Sequence, residues 1–220
     1  MNKITSAILF CLCALFAGSC SDTPVSESAT LQDVVMIEQM GASSTTFAVA
    51  LPGNPEIAHL RTNKVLNSEE VKVGDCCMIR YISPAEPYKS ADIELLGCYT
   101  ISGNLTAGIE ATEMTPQYSD TPVYLLSAWS FCNRIILRMQ LPYPANNRKL
   151  LLQLDPTTID DEIPTLRLIQ HIPGNTDSSY MGSYTVAFSL DEINAKKSWK
   201  GVKILLNNSN LKKNVVNLTL

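Results

Sequence analysis

Histidine is scarce in this chain of 220 residues: only His59 and His171 occur. A zinc centre therefore has few imidazoles to draw on, and both read as surface or loop-edge residues rather than metal ligands. Charge is thin as well. Charged residues make up 17% of the chain, and 17 Lys and Arg stand against 21 Asp and Glu. Such a balance lacks the basic face that nucleic-acid binding needs, so no nucleic-acid partner is expected. No phosphate-cradling glycine loop, His-Glu-x-x-His helix or Gly-x-Ser-x-Gly elbow is present. Beyond the first twenty residues no apolar run reaches the length of a membrane span, and no stretch keeps a helical period. The expectation is a non-enzymatic protein with no cofactor and no metal.

What is there begins at the N-terminus. Residues 1–20 read as a signal peptide: Lys3 gives a positive start, and Ile8 to Phe16 an apolar run too short to span a bilayer. Ala17-Gly18-Ser19 supplies small residues, and Cys20 follows. This arrangement resembles the lipobox of bacterial lipoproteins, in which the cysteine thiol takes a diacylglyceryl group and becomes the mature N-terminus. Cys20 is the expected lipid-attachment site. Each buried methylene contributes about 0.8 kcal/mol, so two or three acyl chains hold a protein at a membrane without any spanning helix. The expected location is the cell envelope, as an outer-membrane lipoprotein with its periplasmic or surface face left open. Removing the signal takes Lys3 away and no acid, which leaves 16 basic against 21 acidic residues and a net charge of −5.

The chain has seven cysteines. Cys11 and Cys13 leave with the signal. Export permits a disulfide, and Cys98 with Cys76 or Cys77 is the preferred pair, since both stretches read as neighbouring strands. Buried free thiols are the equal alternative. Cys132 beside Phe131 reads as a core thiol, and nothing local makes it a nucleophile with His171 as base. Asp160-Asp161-Glu162 lacks the spaced ladder of a calcium loop and reads as a solvated turn.

Residues 21–30 are polar and contain Pro24, as befits a flexible tether. From Gln32 the texture is β. Val34 to Met40, Thr45 to Leu51, Ile57 to Arg61, Cys76 to Ile82 and Asp92 to Ser102 read as five strands. Val71-Lys72-Val73-Gly74-Asp75 makes a glycine corner before the fourth. Five strands in this span suit a small OB-type barrel over residues 31–108. Residues 109–121 read as a linker. Residues 122–220 hold seven strand patterns separated by Pro and Asn turns, which fits an immunoglobulin-like β-sandwich. The clearest is Ser183 to Leu190, and Asp191 to Lys197 could form one helical turn. The fold class is all-β.

In order, the lipobox, the Val-x-Val-Gly-Asp corner, Trp129, the Leu166–His171 strand and the Tyr184–Leu190 strand running into Asp191-Glu192-Ile193 resemble the NigD-like lipoproteins of Bacteroides and relatives. The resemblance implies an N-terminal OB-type domain, a C-terminal β-sandwich, no catalytic residues and at most an accessory or immunity role beside bacteriocin genes. Protein and glycan partners are both open. OB-type barrels often bind chains on one face, but Phe47, Tyr81, Tyr88, Tyr99 and Tyr118 stand without basic companions, so glycan capture rests on fold analogy. A fimbrial subunit is a further alternative. It would need a proteolytic site, and Arg61 lies too deep in an expected strand to serve.

Overall fold

The computed structural model describes residues 30–50, 56–87, 89–101, 106–110, 120–142, 148–171, 180–190, 198–210, 212 and 214–220. The signal, Cys20, nearly all of the tether, the 191–197 turn, Tyr88 and Tyr118 lie outside them. Among the described residues there is no helix, and the all-β expectation holds.

The first sheet is built from β1 (Thr30–Met40), β2 (Thr45–Val49), β3 (Ala58–Thr62), β4 (Cys76–Ile82), β5 (Ala91–Asp92) and β6 (Glu94–Thr100), in the order β5-β3-β2-β1-β4-β6. Period-two alternation drives it. Val35 and Ile37, Leu60, and Cys77, Ile79 and Tyr81 all point to one side and are buried there with Phe47. β5 and β6 are one segment bent at Ile93. Its start runs parallel to β3, with the Ile93 amide donating to the Arg61 carbonyl at 2.7 Å, and its remainder runs antiparallel to β4. The segment therefore touches both free edges, and the sheet curls around its apolar side. Tyr81 takes its ring into this core and donates its hydroxyl to Asp33 Oδ2 at 2.7 Å, which satisfies the buried phenol.

The glycine corner does what its sequence suggests. Gly74 has φ of 90°, a conformation that costs a side-chain-bearing residue strain. Its amide donates to the Ile37 carbonyl at 2.8 Å, and the Ile37 amide donates to the Asp75 carbonyl at 3.0 Å. These bonds pin the turn onto β1, where the register shifts between Ile37 and Gln39.

The second half has two facing sheets. β7 (Thr106–Glu110), β10 (Lys149–Leu154), β11 (Thr165–His171), β13 (Gly201–Leu205) and β14 (Val215–Thr219) form one, in the order β14-β13-β11-β10-β7. β8 (Tyr124–Phe131), β9 (Arg134–Pro142) and β12 (Met181–Ser189) form the other, in the order β12-β9-β8. Between them lies a single apolar core that includes Leu137, Met139, Leu152, Leu166, Phe188 and Ile204. Two pairings are parallel, β10 with β7 and β11 with β13. β7 is a strand that periodicity does not reveal, and the expected boundary at residue 108 falls inside it. The edge of β8 is covered: Asn210 accepts from the Leu125 amide at 3.1 Å and donates to the Leu125 carbonyl at 2.8 Å, so one side chain stands in for a neighbouring strand.

Candidate functional site: a cleft beside Trp129

On β9, Ile135, Leu137, Met139 and Leu141 face the sandwich core. By alternation Arg134, Ile136 and Arg138 face the other way. A residue on an outer sheet face is ordinarily wet, yet Ile136 is 0% exposed. Its register partners are Trp129 on β8 and Ala187 on β12. This face is turned toward the outer side of the first sheet. Arg134 reaches across, its Nη2 donating to the Gly74 carbonyl at 3.4 Å.

Where the two surfaces part they leave a cleft of about 260 Å³. Gln32, Val34 and Met78 line it from the first sheet, and Ser127, Trp129, Arg138 and Thr185 from the second. Val34 and Met78 are cross-strand partners, as are Ser127 and Arg138, and Arg138 and Thr185. Each wall is thus a short row across adjacent strands. Asp33 also borders the cleft, but its carboxylate is turned inward to Tyr81. On the far side of Trp129 lies a second cavity of about 840 Å³, and Ala50 and Trp129 belong to the walls of both. Both tryptophans of the chain border this larger cavity, with Phe131, Asn133, Asn217 and Thr219. None of its described lining residues carries an ionic side chain.

The larger cavity is bordered by the tip of the β8–β9 hairpin. Cys132 and Asn133 have φ of 46° and 58°, the signs of a two-residue type I′ turn. Asparagine tolerates that region; cysteine there stores strain of about 1 kcal/mol or more, a feature that concentrates at functional surfaces. Two residues before the tip, the Ser130 hydroxyl donates to the Thr219 carbonyl and ties β8 to β14.

Cys76, Cys77, Cys98 and Cys132 are all free in this structure. β4 and β6 are neighbours, as the sequence suggests. Ile79 lies opposite Cys98, so Cys77 shares a face with Cys98 and Cys76 points the other way. The Cys77 thiol donates to Cys98; this bond, with burial, pushes Cys77 well above the ordinary thiol range. Accepting the same bond draws Cys98 down. Burial chiefly, and then the Glu38 charge, push Cys132 up to about 11 against the opposing pull of Arg134. Thiolate is the reacting form. In reduced protein at neutral pH, iodoacetamide is expected to label Cys98 before Cys132, and Cys77 only on unfolding. Raising the pH should narrow the gap between Cys98 and Cys132. Equal rates at all three, read by peptide mass mapping, would contradict this ordering. Protection of both Cys77 and Cys98 in unfolded, unreduced protein would mark a bridge between them.

The other candidate residues are not brought together. Cys132 sits at a hairpin tip, whereas His171 closes β11 opposite Lys149, so the pair makes no catalytic couple. His59 Nδ1 meets Glu38 Oε2 at 2.8 Å on the surface. Glu162 pairs with Lys200 at 2.6 Å, both exposed, in a solvated turn. Among the described residues no group of three or more His, Cys, Asp or Glu side chains could hold a metal ion. Arg61 sits within β3, paired to Thr46 and Asp92. Phe47 and Tyr81 are core residues, and the aromatic surface at the cleft comes from half-buried Trp129 instead; Trp199, which also borders the larger cavity, belongs to the sandwich core. Of the residues at the two cavities, the sequence pattern singles out Trp129 but not Trp199, Arg138 or Gln32. The apolar run Ile135-Ile136-Leu137, buried on both faces, is the available signal that this sheet is covered on its outer side.

The fold is shared with solved structures from Bacteroides. A Bacteroides vulgatus protein of unknown function aligns over 87% of this chain and 91% of its own, with 15% identity and a TM-score of 0.63. A candidate lipoprotein of Bacteroides fragilis aligns over 87% of this chain and 98% of its own, at 13% identity and a TM-score of 0.57. A NigD-like immunity protein of Bacteroides caccae aligns over 86% of this chain and 92% of its own, at 11% identity and a TM-score of 0.57. No family model and no curated protein matches the chain. At such identities the likeness establishes the architecture, and it meets the NigD-like resemblance carried by the sequence motifs.

Proposed function

We propose that this chain is a non-enzymatic lipoprotein of the bacterial envelope, held at the outer membrane through Cys20, that binds a partner molecule in the cleft beside Trp129. The observation that carries the binding role is the half-buried Trp129 standing between a polar cleft and a larger cavity bordered by Ser130, Asn133, Asn217 and Thr219. The anchor is supported by Ala17-Gly18-Ser19-Cys20 at the end of the signal. The fold shared with a candidate lipoprotein is consistent with it. The curled first sheet, with β3 and β4 both joined by the 91–100 segment, supports the OB-type reading of the N-terminal half. A second reading, an immunity or accessory role beside a bacteriocin, draws on the fold shared with the Bacteroides caccae protein.

Cys20→Ser tests the anchor. Without the sulfur no acyl chain can be attached, and the expected result is a complete move from the membrane pellet to the soluble envelope fraction. If the variant still sediments with membranes and resists carbonate washing, the anchor reading is wrong.

A further inference from the structure

We propose that the cleft beside Trp129 takes an oligosaccharide bearing a carboxylate, a uronic-acid chain, with Arg138 as the carboxylate-binding residue. The inference rests on the reading of this cleft as a binding site and adds the chemistry of what fills it.

Arg138 is exposed and sits between Ser127 and Thr185 in one cross-strand row. Among the described residues no hydrogen bond or ion pair engages its guanidinium. Among the described residues the only acidic one bordering the cleft is Asp33, whose carboxylate is committed to Tyr81 inside the first sheet. A lone guanidinium between two low-dielectric walls focuses positive potential in the cleft despite the chain's negative net charge. Its planar fork of donors matches a carboxylate bidentately.

The surrounding groups select a sugar over a bare anion. Gln32, Ser127 and Thr185 offer an amide and two hydroxyls, which both donate and accept, as ring hydroxyls require. Trp129 offers an aromatic surface at the junction of the two cavities, where the apolar face of a pyranose can lie. The smaller cleft, about 260 Å³, is sized for one sugar ring beside the guanidinium. The larger one, about 840 Å³ with amide and hydroxyl groups beside Trp129, has room for the next units of the chain. A guanidinium at one end and amide, hydroxyl and indole groups beyond it describe a site for an acidic oligosaccharide.

The test is calorimetric titration of the full chain in detergent micelles. The ligands are oligogalacturonate, an uncharged glucan oligomer of the same length, and sodium acetate. Oligogalacturonate is expected to bind, more weakly as salt rises, while acetate does not. Arg138→Gln should weaken it by roughly tenfold or more, because a charge-assisted pair is lost, with thermal stability unchanged at this exposed position. Trp129→Ala should weaken the acidic oligomer as well. Oligogalacturonate binding that is unaltered by Arg138→Gln overturns the assignment, as does acetate bound as well as the oligomer. Binding of the neutral oligomer alone overturns the acidic ligand and leaves the cleft as a binding site. No binding of any carbohydrate removes the saccharide reading altogether, and the broader binding role then depends on a protein partner.

Discussion

Arg148→Ala is expected to destabilise the second half of the molecule by about 3–5 kcal/mol, more than truncation of any exposed side chain in that half. Arg148 is 1% exposed. Its Nη1 donates to Gln170 Oε1 at 3.0 Å and its Nη2 to the Pro142 carbonyl at 3.0 Å. Gln170, itself buried, then donates to the Thr121 carbonyl at 2.8 Å. One chain of bonds thus joins the end of β9, the approach to β10, the end of β11 and the lead into β8. Burial pulls the Arg148 guanidinium below its usual range, so the charge is held at some cost. Among the described residues its Nε has no hydrogen-bond partner. Alanine would strand one buried and one part-buried acceptor and leave a void of a long side chain. Thermal unfolding should move down by roughly 10 °C, given the entropy scale of a chain this size. Lys149→Ala, next in sequence and exposed, should stay within about 0.5 kcal/mol. Gln170→Leu should also destabilise, and the double variant should cost less than the sum of the singles because the two side chains share one network. A midpoint for Arg148→Ala equal to that of Lys149→Ala would show that the network carries no stability.

Gly201→Ala is expected to cost about 1–3 kcal/mol, and to disturb the larger cavity as well. Gly201 pairs with Thr219 across β13 and β14. A Cβ placed there would stand 2.5 Å from the Leu218 carbonyl oxygen. That atom is backbone and cannot rotate aside, so β14 must shift or the pairing must open. β14 supplies Asn217 and Thr219 to the cavity wall, and the Thr219 carbonyl is the acceptor for Ser130. The substitution should therefore lower the unfolding midpoint and speed amide exchange along β14, whereas Lys203→Ala, exposed on the same strand β13, should do neither. Unchanged exchange at Leu218 and Thr219 would mean that the strand pair absorbs a methyl group without moving.

Arg148 and Gly201 show where sequence patterns stop being informative. Alternation places most strands well because each half-buried strand records its inner face in every second residue. Cys76 to Ile82 is legible to the residue. The Gly74 corner is legible because only a glycine turn fits between the polar stretch and that strand. β7 is not, because Thr106-Ala107-Gly108-Ile109-Glu110 is short, holds a glycine, and pairs in parallel with a strand some forty residues away. Nothing local encodes such a partner. The buried Arg148 resembles a surface charge beside Lys149, since only the fold brings Gln170 and Pro142 to it. The cleft is hidden for a related reason: Gln32 and Arg138 lie more than a hundred residues apart, and each sits in an ordinary strand pattern. Their meeting depends on one sheet face packing against another.

The proposed role requires that an acylated cysteine hold this two-part β protein in the envelope, where its cleft can meet a ligand. The most direct measurement is the mass of the N-terminal peptide from protein recovered in the membrane fraction. The expected peptide begins at Cys20 and carries diacylglyceryl on the sulfur. A peptide that begins elsewhere, or that begins at Cys20 with an unmodified thiol, would contradict it.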